Sequence, residues 1–99
     1  MSWRNSREYR IWRAKVIRRD KRCIICNSIK HREAHHLYCA SYYPEHRFDV
    51  DNAVTLCRHC HSLYHNKFVG SYRKKCNKES FERFMKIVNY IKDLYEKDD

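Results

Sequence analysis

"NAVTLCRHCHSLYH" occupies residues 52–65. It runs from a β-branched stretch into a C-x2-C pair and then to two histidines four residues apart. "AVTL" (53–56) reads as a short strand. "CRHCHSLYHNKF" (57–68) reads as the opening of a short helix. A C-x2-C pair can place two thiolates at tetrahedral spacing on one Zn²⁺, and a second pair closes a structural site. That second pair lies upstream, as Cys23 and Cys26 in "CIIC". Thirty residues separate Cys26 from Cys57, more than a compact ribbon needs, so something is inserted between the knuckles. Asn27, directly after Cys26, can take the left-handed turn that glycine often supplies.

The rest of the chain explains why such a staple is wanted. With 99 residues, one small domain spanning 1–99 is expected. Leu, Ile, Val and Phe make up about a fifth of it, near the level where a packed core becomes doubtful. A bound zinc offsets that deficit, because binding energy at such a site is folding energy. "MSWRNSREYR" is polar and has no signal-peptide h-region, and no apolar run approaches a membrane span. A cytoplasmic chain with reduced cysteines is therefore expected, and paired cysteines there read as metal ligands before disulfides. A redox reading of either C-x2-C lacks the surrounding βαβ pattern. Cys39 and Cys76 are left over as free thiols.

Two amphipathic segments flank the knuckles. Residues 6–19 read as a helix in which Tyr9, Trp12 and Val16 form one stripe and arginines fill most of the remaining circumference. Residues 78–96 read as a second helix, N-capped by Asn77. There Phe81, Phe84, Met85, Val88, Ile91 and Tyr95 share a face expected to be core. "REAHHLYC" (32–39) can be a strand, and "SYYPEHRFDVDN" (41–52) a loop around the lone proline. The fold class is thus α+β: a zinc-stapled pair of strands and a helix, between a basic N-terminal helix and an amphipathic C-terminal one.

Removing the cysteines leaves a second constellation: His35, His36, Asn52, His61 and His65. His61 and His65, at i and i+4 of a helix, lie on one face about 6 Å apart, a common metal pair. A second histidine cluster within the same loop strengthens the metal reading over that of surface imidazoles. Three imidazoles favour Mn²⁺, Co²⁺, Ni²⁺ or Zn²⁺ by ligand type, whereas Mg²⁺ prefers oxygen ligands. Glu33, Asp49 or Asp51 can add an oxygen, although each also reads as a loop or surface acid. His31, His46 and His59 read as non-catalytic.

The order "EAHHL", then "PEHRFDVDNAVTLCRHCHSLYH", resembles the HNH endonuclease family, in the form common among phage and free-standing homing enzymes. "YRIWRAKVIRRDKRCIIC" is similar to the basic helix and first knuckle preceding that motif, so the resemblance spans roughly residues 9–65. It implies a ββα-metal finger of 23–66, two strands and a helix gripping one catalytic divalent ion. His36 would be the general base and His35, His61 and His65 the ligands, as in the nuclease colicins, with His61 also counted in the catalytic set. Asn52 would hold the loop and orient the His36 ring through its carbonyl or backbone. Cys23, Cys26, Cys57 and Cys60 would hold a separate structural zinc. Hydrolysis would leave 5′-phosphate and 3′-hydroxyl ends. Many relatives carry Asp at the position of His35 or lack His65. Both rings of His35 and His36 must reach one phosphate, so the chain at Ala34–Leu37 is expected to be bulged, strongly twisted or at a strand end.

Charge supports a polyanionic substrate. The net charge is +10, and residues 1–22 carry nine Lys/Arg against Glu8 and Asp20. Candidate DNA contacts are Arg7, Arg10, Arg13, Arg18, Arg19, Arg47, Lys67, Arg73, Lys74 and Lys75, each of which also reads as a solvated surface charge. DNA is the expected partner, in the host cytoplasm if the chain is phage-encoded, with a homodimer or a phage or host protein as further partners. The alternative is a non-catalytic zinc-dependent DNA-binding module derived from such a nuclease. A toxin or restriction nuclease would use the same chemistry as a homing enzyme.

Overall fold

The computed structural model describes residues 2–96. A 3₁₀ turn at Trp3–Asn5 leads into helix α1, Arg7–Asp20. Ser6 caps α1, its hydroxyl accepting from the Tyr9 N–H at 3.1 Å. Lys21, at φ 67°, ends it and turns the chain into the first knuckle. Strands β1 (Arg32–His36) and β2 (Ala53–Cys57) pair antiparallel, with His35 opposite Val54 and His36 opposite Ala53. Helix α2 (Arg58–Ser62) follows β2 at once and continues as a π-helix over Leu63–Val69. Helix α3 spans Lys78–Glu96. The fold is a small α+β arrangement around a two-stranded sheet.

Strand alternation divides the hairpin between two cores. Ala34 and Ala53 face α1 and pack with Trp12 and Val16. Thr55 sits on that face too, its hydroxyl donating to the Val16 carbonyl at 3.3 Å. Leu56 faces the other way, into a larger cluster with Leu37, Tyr64, Phe81, Phe84 and the knuckle cysteines. The hairpin is therefore a thin middle layer between α1 and the α2–α3 side, and each strand residue belongs to one side or the other.

The expectation for Ala34–Leu37 holds in its strand-end form: β1 keeps a regular register to its last residue, His36, with no bulge. Two expectations change. The helix after Cys60 is not α throughout, because the chain widens to π geometry at Leu63. The apolar face of α3 is core only at its start. Phe81 and Phe84 are buried, but Ile91 is 45% and Tyr95 77% exposed, because the helix runs past the sheet it packs on. Asn77 does cap α3, its side-chain oxygen accepting from the Ser80 N–H at 2.8 Å. Among the described residues no helix is long and apolar enough to cross a membrane.

Candidate metal centres and the histidine-lined cavity

The knuckle cysteines meet as the spacing requires. Cys23 closes a turn in which the Asn27 N–H donates to its carbonyl at 3.0 Å, with Asn27 left-handed at φ 69°. Cys57 ends β2 and caps α2, its sulfur accepting from the Cys60 N–H at 3.5 Å. One sulfur each from Cys23, Cys26, Cys57 and Cys60 lies within 4.8 Å of the others. Burial raises the Cys23 thiol, yet backbone N–H groups of Cys26, Cys57 and Ile25 outweigh it and bring it down to about 7. Burial, then the neighbouring thiols, raises Cys26 and Cys60 instead, and it is the geometry of the four sulfurs that is compatible with a structural ion such as zinc. All six cysteines are free of disulfides.

On the same side of the hairpin, His35, His61 and His65 bring one ring nitrogen each within 4.8 Å of one another. His35 is 1% exposed, and its Nδ1 stands 3.2 Å from His61 Nε2. His61 donates from Nδ1 to the Glu33 carboxylate at 2.8 Å, since a carboxylate can only accept. This fixes the tautomer and leaves His61 Nε2 as the lone pair aimed at the cluster. Glu33 thus acts behind a ligand rather than as one. His65 stacks on Tyr72, with ring centres 4.2 Å apart. Burial, followed by the neighbouring His61, lowers His65 to about 4. Burial, then His61, His65 and His36, takes His35 well below the usual histidine range. Both rings are therefore neutral at pH 7 and keep the lone pairs a cation needs. His35 Nε2 and His65 Nδ1 are buried with no hydrogen-bond partner among the described residues. Three imidazoles that each bring one ring nitrogen this close to the others form a donor set compatible with a divalent ion.

His36 points to the opposite face, against α1. Its ring stacks on Trp12 at 4.1 Å, with Trp3 edge-on at 5.6 Å. Its Nε2 lies 2.8 Å from the Arg47 carbonyl, which can only accept, so Nε2 carries the proton and Nδ1 the lone pair. Burial lowers His36 to about 4; the Arg47 carbonyl pulls it up, and the Arg4 and Arg47 charges push it down again. Because His36 ends its strand, both faces open into one cavity of about 200 Å³ that His35, His36, His61 and His65 all line.

Asn52 makes no side-chain hydrogen bond to the His36 ring, though its backbone carbonyl accepts from the Leu37 N–H, one residue on, at 3.0 Å. It is 5% exposed and closes the loop instead. Its side-chain oxygen accepts from the Tyr38 N–H at 2.7 Å, and its amide donates to the Tyr38 and His46 carbonyls at 3.0 and 3.1 Å. The His46 carbonyl immediately precedes the one that holds His36, so Asn52 reaches the ring through the His46–Arg47 turn.

The expected DNA-contacting residues scatter. Arg19 is committed to the fold: it pairs with Asp20 at 2.7 Å and donates to the Val50 and Ala53 carbonyls. Arg10 and Arg13 donate to the Asn5 and Arg32 carbonyls and remain exposed, as do Arg7 and Arg18. Arg47 lies over Trp3 at 4.7 Å and donates to the Ala40 carbonyl. Lys75 lies over Tyr42 and Tyr43, while Lys67, Arg73 and Lys74 are exposed. Trp3, Arg4 and Tyr72 line the cavity and were missed. No periodicity or spacing marks them in the sequence, since the first two sit in a three-residue turn and the third in a loop. No family profile, curated protein or solved structure matches this chain.

Proposed function

We propose that the chain is a metal-dependent endonuclease of the HNH type that hydrolyses phosphodiester bonds in DNA. The observation that carries this reading is a single cavity in which a neutral histidine with a free Nδ1 meets a cluster of three imidazoles, two of them buried. A pure binding module has no physical need for a second cluster of ligands beside its four cysteines.

In this reading Nδ1 of His36 takes the proton from the attacking water. The Arg47 carbonyl holds the ring in the required tautomer, and Trp12 fixes its plane. With its own value near 4, the ring is unprotonated over the whole physiological range. Negative charge brought in by the phosphate raises its basicity at the moment of use. Arg4, on the cavity wall, offers a cation to that phosphate. Glu33 holds His61 in the tautomer that presents Nε2. A divalent ion on His35, His61 and His65 would neutralise charge on the phosphate and on the leaving oxygen. The four cysteines serve a different purpose, tying the start of α2 to the knuckle so that His61 is correctly placed.

Plasmid cleavage with Mg²⁺, Mn²⁺, Co²⁺, Ni²⁺ and Zn²⁺ in turn tests the proposal. Wild-type protein is expected to nick or linearise supercoiled DNA with at least one ion, and His36→Ala to lose at least 100-fold, on the order of a general base's contribution. Intact plasmid under every ion leaves the zinc-dependent DNA-binding module as the reading. Undiminished cleavage by His36→Ala removes His36 as the base.

A further inference from the structure

A second concavity, of about 400 Å³, lies between α1, the start of β1 and the start of α2. Arg13, Arg32 and Arg58 line it, with His31 at the rim, Ile17 and Ile29 at the sides, and Glu33. Two of the arginines are held without being neutralised. Arg13 donates to the Arg32 carbonyl at 2.9 Å and Arg32 to the Lys21 carbonyl at 2.7 Å. Backbone carbonyls fix a guanidinium in place but leave its full charge. None of the three forms an ion pair among the described residues, whose salt bridges are Arg19–Asp20, His46–Glu45 and His61–Glu33. The single acid in the lining, Glu33, already accepts from His61 at 2.8 Å. The rim is tied by the Arg58 N–H, which donates to the His31 carbonyl at 2.9 Å.

We propose that this concavity is a subsite for a non-scissile phosphate of the DNA backbone, with Arg58 as its free-standing clamp and Arg13 and Arg32 as its fixed walls. Three guanidiniums around one polar hollow match the tetrahedral, bidentate-accepting oxygens of a phosphodiester. The placement favours a strand rather than a free anion. Glu33 lines this hollow and also holds His61 of the histidine cluster, so one side chain links the two. In the proposal, a strand held in the cleavage cavity runs on past Glu33 to the hollow, and its phosphates recur about every 3.4 Å along the axis. The inference rests on the nuclease reading for its choice of strand, but not for the hollow itself.

The test uses full-length zinc-loaded protein carrying His36→Ala, so that binding is read without cleavage. Affinity for a 20-base-pair duplex is measured by fluorescence anisotropy over a salt series. Arg58 makes no side-chain hydrogen bond among the described residues, so Arg58→Gln leaves the fold's own contacts intact. It is expected to bind about 3- to 10-fold more weakly, with the salt slope reduced by about one. Lys86→Gln, an exposed change on α3, is expected to change neither. Unchanged affinity and slope in Arg58→Gln overturns the subsite, whatever the plasmid assay reports. A reduced slope together with an uncut plasmid supports the subsite while the nuclease reading fails. Titration with inorganic phosphate separates the sources: saturable binding lost in Arg58→Gln, with duplex affinity unchanged, marks a free-anion site and overturns the proposal.

Discussion

Replacing His36 with Gln should make the protein less sensitive to acid. In the folded chain His36 titrates near 4, against an ordinary value of 6.5. The unfolded ring therefore takes up a proton that the folded ring refuses, and stability falls as pH falls. The contribution is fully present above pH 6.5 and is lost progressively down to the folded value near 4. At pH 7 the two states differ little, whereas at pH 5 the unfolded ring is almost wholly protonated and the folded one mostly neutral. The difference in stability between those two pH values comes to about 2 kcal/mol from this single residue. The ring is part-exposed, so solvent screening makes that figure an upper bound. Gln can still donate to the Arg47 carbonyl and sit against Trp12, but it does not titrate. Urea unfolding followed by tryptophan fluorescence at pH 7 and pH 5, with zinc in excess, gives the comparison. Wild-type protein should lose about 1–2 kcal/mol more than His36→Gln over the interval, since acid effects on the cysteines and on His35 and His65 are common to both. Equal losses would show that the folded His36 titrates normally, and the argument from its stacked, carbonyl-held ring would fall.

Other perturbations separate the two metal centres and the loop. Cys57→Ser should abolish tightly held zinc and cooperative unfolding together, whereas His61→Ala should keep about one zinc per chain; elemental analysis after gel filtration reads both. Glu33→Gln should weaken Co²⁺ binding at the histidine cluster about 10- to 100-fold without displacing the cysteine-bound ion, followed by visible absorption. Asn52→Ala removes three hydrogen bonds that close the 37–52 loop, and should cost about 2–4 kcal/mol in thermal or urea unfolding; a loss below about 1 kcal/mol would mean that the loop closes without them.

Much of this site was legible because its chemistry is local in sequence. Two C-x2-C pairs and the four-residue step from His61 to His65 are spacings, and spacing survives folding. That a regular strand sends His35 and His36 to opposite faces was legible too, whereas their proposed roles as ligand and base came only from the family resemblance. What sequence could not give was the partner on each face. Tyr9, Trp12 and Val16 read as an ordinary core stripe, and nothing in a 3.6-residue period says that Trp12 stacks on a candidate base. Arg19 looked like any other arginine of a basic helix until Asp20 and two backbone carbonyls claimed it. The outer half of α3 misled for the opposite reason. Its apolar period is real, but periodicity does not report where the opposing layer ends, and the sheet is only five residues long.

The π-helix at Leu63–Val69 has a consequence for chain length. Its closing bond, from the Gly70 N–H to the His65 carbonyl at 2.9 Å, skips five residues where an α-helix skips four. The segment is an α-helix carrying a surplus residue. Deleting one position between Asn66 and Val69 would let the turn relax to α, rotating everything downstream by about 100° relative to His61 and His65. Tyr72 would swing off His65, and Cys76 would leave its place beneath α3. The residue count between His65 and Cys76 is thus a quantity that mutation can preserve or break but cannot gradually adjust.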